Sequence, residues 1–117
     1  MKEEEEIEKS NIFIVVEIIE YVPNSVVIKT IVKKTTGNIS AVSFDSGEGF
    51  AERTSPFDMF IQVIEGKAEI IIDSKSHHLT KGESIIIPAH VINKINANER
   101  FKMISTVIKS GYEDIDL

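Results

Sequence analysis

The sequence contains no cysteine and no tryptophan, and it has only three prolines and two leucines. The absence of cysteine excludes disulfides, cysteine-ligated zinc, iron–sulfur clusters and thiol nucleophiles. No apolar run approaches the roughly 20 residues that a bilayer-spanning helix needs, so we expect no membrane partner. The first six residues are rich in glutamate, which is the wrong charge for the leading region of a signal peptide. These absences predict a cytoplasmic protein.

Positive charge is also scarce. The 13 lysines and arginines face 19 aspartates and glutamates, which gives a net charge of −6 at pH 7. A surface this acidic repels phosphate backbones, so nucleic acid is not an expected partner. The length of 117 residues suits one core. We predict an acidic N-terminal tail over residues 1–10, a single barrel domain over residues 11–110 and an acidic C-terminal tail over residues 111–117.

The apolar residues that are present are mostly β-branched. The chain has 21 isoleucines and 10 valines but only 5 alanines. β-Branched side chains fit a pleated sheet and lose χ1 freedom in a helix. The composition therefore predicts an all-β domain.

Short apolar segments with frequent turn signals divide the chain into predicted strands. Residues 11–20 are compatible with either a strand or a buried helical turn, and their β-branching favours a strand. Residues 59–64 and 67–73 are predicted to form a hairpin across Glu65 and Gly66. The further predicted strands are residues 25–33, 39–44, 76–79, 84–87, 92–97 and 101–109. This pattern is typical of a β-sandwich or barrel.

Two stretches of the sequence resemble the two motifs of the cupin superfamily. The first runs from Gly47 to Gly66. The second begins at Gly82 and includes Pro88 at the expected spacing. The resemblance covers roughly residues 26–109. It implies a double-stranded β-helix, which is a jelly-roll barrel of antiparallel strands.

The resemblance also implies where a cupin would bind metal, and this sequence departs from the family there. Arg53 and Ser55 occupy the positions of the two histidines of the first motif, and Met59 occupies that of the glutamate. Asn93 occupies the position of the second-motif histidine. Arginine is cationic, methionine is a soft donor, and serine and asparagine offer only neutral oxygens. We therefore expect no metal and no other cofactor.

Arg53 is the principal candidate for a replacement function. A guanidinium inside a small barrel needs a carboxylate, water or an anionic ligand. One hypothesis is an anion pocket in which Arg53 binds the ligand while Ser55 and Asn93 donate or accept neutral hydrogen bonds. The alternative is that Arg53 faces solvent or pairs with Asp58, with Met59 filling the former metal pocket.

The three histidines offer a second kind of chemistry. His77 and His78 are adjacent on a predicted strand, so their side chains are expected to point to opposite faces. His90 lies three residues before Asn93 and is a candidate pocket residue. A displaced metal site or an acid–base role would use His90 or whichever of His77 and His78 faces inward.

Three functions therefore stay open from the sequence. The first is a metal-free cupin that binds a small, possibly anionic molecule, and the second is a dioxygenase-like or isomerase-like enzyme with a displaced metal. The third is a structural cupin whose cavity is filled by Phe57, Met59 and Phe60. Residues 12–19 are too apolar for a small barrel to bury easily alone, so we also expect a homodimer.

Overall fold

The computed structural model describes residues 6–109, so residues 1–5 of the predicted N-terminal tail and the predicted C-terminal tail lie outside the described residues. The described chain forms one 3₁₀ turn and eight strands. The turn spans Val15–Glu17. The strands are β1 (Val26–Lys34), β2 (Gly37–Phe44), β3 (Gly49–Arg53), β4 (Met59–Ile72), β5 (Lys75–Thr80), β6 (Ser84–Ile87), β7 (Asn93–Asn96) and β8 (Phe101–Ile108).

All the strand pairings are antiparallel and form two sheets that share β4. The first sheet has the order β1-β2-β8-β4-β6, and the second has the order β5-β4-β7-β3. The first half of β4 pairs with β6 and β8, and its second half pairs with β5 and β7. The prediction of an all-β barrel of antiparallel strands is confirmed. The described part of the chain holds no helix with the length and apolar character that crossing a bilayer requires.

The interior between the two sheets holds the main hydrophobic core. Alternate residues of β4 point into it, including Ile61, Val63 and Ile70, which are fully buried. The Phe44 ring stacks on that of Phe101 with centroids 4.4 Å apart. Side chains of a strand alternate between the two faces of its sheet. Isoleucines at every second position therefore point into the core, and this favours strands in these segments.

A second core lies on the outer face of the first sheet, where the segment before β1 covers it. Ile7, Val15 and Ile19 pack with Ile31 and Ala41. The strand that β-branching favours over residues 11–20 is wrong, because the segment contains the 3₁₀ turn and no strand. Its apolar side chains pack on the outer face of the first sheet, and its backbone does not add a strand to that sheet.

Polar contacts attach this N-terminal segment at its last turn. The Lys102 ammonium, which is 8% exposed, donates a hydrogen bond of 2.8 Å to the carbonyl of Val16. The Ser43 hydroxyl donates to the Glu20 carbonyl at 2.9 Å. Each contact supplies a partner to a polar group that the segment would otherwise bury unpaired.

The hairpin predicted across Glu65 and Gly66 is also wrong. Both residues lie inside β4, which continues for 14 residues. A β-bulge between Val63 and Glu65 bends the strand against β8, and Gly66 has a φ of 79°. A bulge with a left-handed glycine lets one strand pass from one sheet into the other. The glycine that suggested a turn at position 66 therefore marks a bend within β4.

We predict that Gly66→Ala destabilises the fold much more than Gly82→Ala. Both glycines have a left-handed φ. A Cβ on Gly66 would meet the Arg100 carbonyl and the Phe101 side chain, whereas a Cβ on Gly82 would meet nothing within 4 Å. The backbone penalty alone is about 1 kcal/mol, and the clash raises the loss at position 66 to about 3 kcal/mol. Urea unfolding measures both losses, and equal losses would contradict the role assigned to Gly66.

Candidate functional site

The registers of β3 and β7 bring two of the predicted pocket residues together. Arg53 at the end of β3 is the direct cross-strand partner of Asn93 at the start of β7. Opposed residues of an antiparallel pair share a face, with Cβ atoms about 5 Å apart. Asn93 is 2% exposed and lies two residues from the fully buried Ile95. The pair therefore lies on the inner face of the barrel.

Arg53 is held against the aromatic part of the core. Its guanidinium carbon lies 4.4 Å from the centroid of the Phe50 ring, and this ring meets Phe44 edge-on at 5.1 Å. A β-bulge between Phe50 and Arg53 sets both side chains on one face although they are three residues apart. Partial burial lowers the pKa of Arg53 below its ordinary value, because desolvation disfavours the cation.

The second arginine of the chain provides an internal comparison. The Arg100 guanidinium also lies over an aromatic ring, 4.5 Å from the centroid of Tyr21, but it forms an ion pair of 3.0 Å with Asp45. No carboxylate of the described residues lies within ion-pairing distance of Arg53. Its guanidinium also makes no hydrogen bond within residues 6–109. Arg53 is thus a cation on an aromatic ring without a counter-charge in the described chain.

In the described structure, the side-chain amide of Asn93 has hydrogen-bond partners for its nitrogen but none for its oxygen. Its amide nitrogen donates to the carbonyls of Arg53 and Val91, both at 3.3 Å. These two bonds fix the orientation of the amide, because only the nitrogen can donate. Its Oδ1 atom is buried and has no hydrogen-bond partner in the described structure. Such atoms are rare in folded proteins, because each one loses the hydrogen bond it had with water.

The other predicted pocket residues are engaged with the backbone at the same end of the barrel. The Ser55 hydroxyl accepts a hydrogen bond from the Phe57 N–H at 3.1 Å. The Asp58 carboxylate accepts one from the Ala89 N–H at 2.8 Å, so the predicted pairing of Asp58 with Arg53 does not form. His90 is exposed and has a φ of 68°, and its N–H donates to the Ser55 carbonyl at 2.6 Å. These contacts join the loop before β4 to the loop before β7.

The donor set at the family's metal position does not fit a divalent cation. Met59 is 7% exposed and belongs to the main core, the Ser55 hydroxyl is bonded to the backbone, and Arg53 adds a positive charge. A neutral amide oxygen is then the single buried acceptor left free, which is too little for Fe, Mn, Zn or Ni. Among residues 6–109, no three His, Cys, Asp or Glu side chains come together to hold a metal ion.

Two of the aromatic residues expected to fill the cavity lie elsewhere. Phe60 is 39% exposed and points away from the core, and Phe57 is only partly buried. The rings that do fill the interior are Phe44, Phe50 and Phe101. Sequence reasoning missed Phe50, because simple strand alternation would set it on the face opposite to Arg53.

A second polar cluster surrounds Glu69 on the outer face of the second sheet. The Glu69 carboxylate accepts hydrogen bonds from Ser76 at 2.6 Å, Asn98 at 3.1 Å and Asn96 at 3.4 Å. These bonds, that from Ser76 foremost, lower the pKa of Glu69 below its ordinary value. Glu69 and His78 also line a surface cavity of about 330 Å³. No residue of this cluster was singled out as a pocket residue from the sequence.

His77 and His78 point to opposite faces, as expected for neighbours on a strand. His77 is partly buried opposite Ile70, with its Nδ1 atom 3.3 Å from the Ile70 carbonyl. His78 is exposed on the outer face, with its Nε2 atom 3.9 Å from Glu69. The two imidazoles therefore belong to different surfaces of the sheet and do not form one site.

The overall structure is similar to that of several solved proteins. A conserved protein of unknown function from Streptococcus pyogenes matches with a TM-score of 0.85 and 25% identity, over 94% of this chain and 96% of that one. A cupin superfamily protein from Desulfitobacterium hafniense matches with a TM-score of 0.84 and 24% identity, over 91% of this chain and 97% of that one.

A third similar structure has the highest identity of these three. It is a cupin 2 conserved barrel domain protein from Leptotrichia buccalis, with a TM-score of 0.77 and 30% identity over 80% of this chain. This chain covers 46% of that protein, so the match is to one part of a longer molecule. No family model matches the sequence, and no curated protein matches it either.

We predict that Glu69→Gln makes the thermal stability of the protein fall less steeply as the pH is lowered. Since the pKa of Glu69 is lower in the folded protein than its ordinary value of 4.5, the ionised carboxylate stabilises the fold above that pH. This stabilisation is lost as pH falls through the folded pKa. Thermal melts between pH 6 and pH 3 should therefore show a smaller fall in Tm for the variant than for the wild type.

Glu99→Gln is the matched control, because Glu99 lines the same cavity but receives no hydrogen bond within the described structure. It should follow the wild-type profile. If Glu69→Gln and the wild type lose the same Tm on acidification, the hydrogen bonds to Glu69 do not stabilise its charged form.

Proposed function

We propose that this cupin-like barrel, over residues 11–110, binds a small anion beside Arg53 on its inner face. The observation that carries the proposal is the partly buried guanidinium without a counter-charge. The anion would bind where other cupins have their metal ligands, and no metal is needed for it.

The energetic argument follows from the two arginines. Removing hydration from a charged group is costly unless a partner replaces the water. Arg100, whose side chain is 54% exposed and so keeps much of its water, nevertheless has Asp45 as a partner, and the ring of Tyr21 adds a further contact. At Arg53 the ring of Phe50 is present but no carboxylate of the described chain is. A carboxylate or phosphate from a ligand would complete the arrangement, because a guanidinium binds such groups through two parallel hydrogen bonds.

The filled interior supports a ligand of few atoms. Phe44, Phe50 and Phe101 occupy the space beneath Arg53, and Met59 is packed into the same core. A surface cavity of about 200 Å³ is lined by Phe50 and by other residues of β3 and β7, and three cavities of about 230 to 660 Å³ lie on other parts of the described chain. A small carboxylate suits the Arg53 side chain better than a nucleotide or a cofactor does.

The test is an NMR titration of the wild-type protein with propionate at pH 7. We expect the Arg53 Nε–Hε resonance and the backbone amides of β3 and β7 to shift and saturate. Arg53→Gln should require a higher propionate concentration to saturate the shifts of the β3 and β7 amides, because its amide lacks both the charge and the two-pronged donor geometry. The loss of affinity should be about tenfold or more, as expected for a charge-assisted hydrogen-bonded pair.

Arg100→Gln is the matched control, because it removes the other arginine and leaves Arg53 in place. It should bind propionate as the wild type does. Propionate and phosphate that both fail to shift these resonances, or an affinity that is unchanged in Arg53→Gln, would disprove the anion site.

We further propose that the protein is a homodimer and that a second copy covers the exposed part of the N-terminal segment. Ile12 is fully exposed, and Phe13 and Ile14 after it are 41% and 57% exposed, although their segment packs on the first sheet. Strand β1 beneath this segment is at the edge of its sheet, and its Ile28 is 53% exposed. Adjacent apolar side chains and an open strand edge are typical of an association surface.

A cytoplasmic location stays a prediction of the sequence.

We predict that the double variant Ile12→Ser with Ile14→Ser is monomeric. Sedimentation velocity should give the wild type the mass of two chains and the variant the mass of one. Ile92→Ser is the control, since Ile92 is 49% exposed but lies in the loop before β7. A wild type that sediments as a monomer would refute the dimer, and a monomeric Ile92→Ser would move the interface to another face.

A further inference from the structure

We infer that the outer face of the first sheet binds a free anionic amphiphile, such as a medium-chain carboxylate, at the tip of the hairpin formed by β1 and β2. The head group binds at a lysine cluster made of Lys33, Lys34 and Lys109, and the chain lies on apolar surface beside that cluster. This site is separate from the proposed anion site, because Arg53 lines neither of the two cavities that form it.

The lysine cluster gathers positive charge in a protein whose net charge is −6. Its three lysines line a surface cavity of about 660 Å³ together with Thr35 and Thr36. Of the described residues, no aspartate or glutamate lines this cavity. None of the three ammonium groups forms an ion pair within residues 6–109. A concave surface of this charge favours a carboxylate or phosphate head group.

Glu6 lies at the margin of the lysine cluster, but its carboxylate is already engaged. It accepts a hydrogen bond of 2.8 Å from the Lys33 N–H and forms an ion pair of 3.4 Å with Lys9. The bond from Lys33 foremost, and then the ammonium groups of Lys9 and Lys34, hold the pKa of Glu6 below its ordinary value. A single carboxylate shared in this way leaves the cluster with a net positive charge at neutral pH.

An apolar groove begins at the same lysines. Lys34 and Thr36 also line a second surface cavity, of about 230 Å³, whose apolar walls include Val32, Ile39 and Ile108. We call this second cavity the apolar groove. Because the two cavities share lining residues, a ligand with its head group in the first can lay its chain in the second.

The strand registers extend the apolar groove across the outer face of the sheet. Ile39 pairs with Val32 on one side and with Thr106 on the other. Thr106 in turn pairs with Phe60, and Phe60 pairs with Ile86. Opposed residues share a face, so these five side chains form one row, which is about 19 Å long at the usual spacing of strands. Its far end, at Phe60 and Ile86, is exposed to solvent.

Charge selects the occupant of this surface. A second copy that docked through the same face across a two-fold axis would bring two lysine clusters into one interface, where they would repel each other. An anionic membrane would attract the cluster but repel the rest of a protein with a net charge of −6. A free amphiphile places its head group on the lysines and its chain on the apolar row without either penalty.

Tight binding should require both parts of the ligand. Octanoate and butyrate share the carboxylate, whereas octanol has the longer chain without the charge. We expect octanoate to bind about tenfold or more tightly than butyrate, because its chain covers more apolar surface. It should bind about threefold or more tightly than octanol, since ion pairs at exposed lysines contribute modestly. Added salt should weaken the binding of octanoate and leave that of octanol unchanged.

The experiment is an NMR titration of the full chain at pH 7 with octanoate, butyrate and octanol. The backbone amides of residues 34–37 and the methyl groups of Ile108 should shift and saturate with octanoate. The triple variant Lys33→Gln, Lys34→Gln, Lys109→Gln should bind octanoate no more tightly than octanol.

A matched triple variant removes the same charge from exposed lysines of β4, β5 and the turn after β5. It carries Lys67→Gln, Lys75→Gln and Lys81→Gln, and it should bind octanoate as the wild type does. For the apolar part, Ile108→Ser should weaken octanoate about threefold and leave butyrate unchanged. Ile92→Ser is its control, because Ile92 is also exposed but lines neither cavity.

The acidic residues that follow Lys109 in the sequence are tested as a competing occupant. Residues 110–117 contain three acidic side chains, and the full-chain variant with Glu113→Gln, Asp114→Asn and Asp116→Asn removes their charge. Binding of octanoate that appears only in this variant would assign the cavity to that segment and overturn the inference.

The remaining outcomes separate this site from the one at Arg53. Equal affinities for octanoate and butyrate would overturn the amphiphile. Shifts confined to β3 and β7 that weaken in Arg53→Gln would assign octanoate to the proposed anion site and overturn the second site. Absence of binding would overturn it too, even if the protein sediments with phosphatidylglycerol vesicles. The comparison of the three ligands on the wild type decides the matter if a variant does not fold.

Discussion

Strand β4 is hydrogen-bonded to four other strands, and the positions of the remaining elements follow from this. Its first half belongs to one sheet and its second half to the other, so the two sheets cannot slide or separate without breaking it. The bulge before Gly66 supplies the bend, and the crowding by Arg100 and Phe101 explains why a glycine is there. Because β7 is aligned on the second half of β4, this strand also sets the depth at which Asn93 enters the barrel.

The inner face combines an apolar filling with two polar groups that the described chain does not satisfy. A hydrocarbon side chain at position 53 or 93 would suit the surrounding phenylalanines and isoleucines better. Groups that cost stability in this way are typical of positions kept for binding. The contrast with Arg100, which forms an ion pair with Asp45, indicates that the lack of a partner at Arg53 is local to this site.

The barrel could be predicted from the sequence, because turn glycines and alternating isoleucines carry much of that information. The motif positions also pointed to Arg53 and Asn93, which the structure brings together as cross-strand partners. Phe50 was not, because a bulge reverses the face on which it lies, and bulges leave no reliable trace in alternation. For the same reason Gly66 suggested a hairpin where the structure has a bend. An ion pair of Asp58 with Arg53 was one alternative that their proximity in sequence left open, and the Asp58 carboxylate instead accepts a hydrogen bond from the N–H of Ala89.

The N-terminal segment illustrates the other limit of local patterns. Residues 11–20 have the composition of a strand, but β1 already forms the edge of the sheet beneath them. Their apolar side chains find a sheet face to cover, and the backbone turns at Val15–Glu17 instead of pairing. Tertiary packing decides whether such a segment forms a strand or an irregular cover on a sheet, and composition alone does not predict which.

The position of β8 between β2 and β4 has a consequence for synthesis on the ribosome. The hairpin of β1 and β2 emerges early, yet its partner in the sheet is the last strand of the described chain. Lys102, which holds the N-terminal segment through Val16, emerges 86 residues after that residue. Until then the edge of β2 that pairs with β8 lacks its neighbour, and the nascent chain exposes strand edges that attract other chains. Barrel closure is therefore a late, long-range event, and a folding chain of this topology is most vulnerable to aggregation just before it is complete.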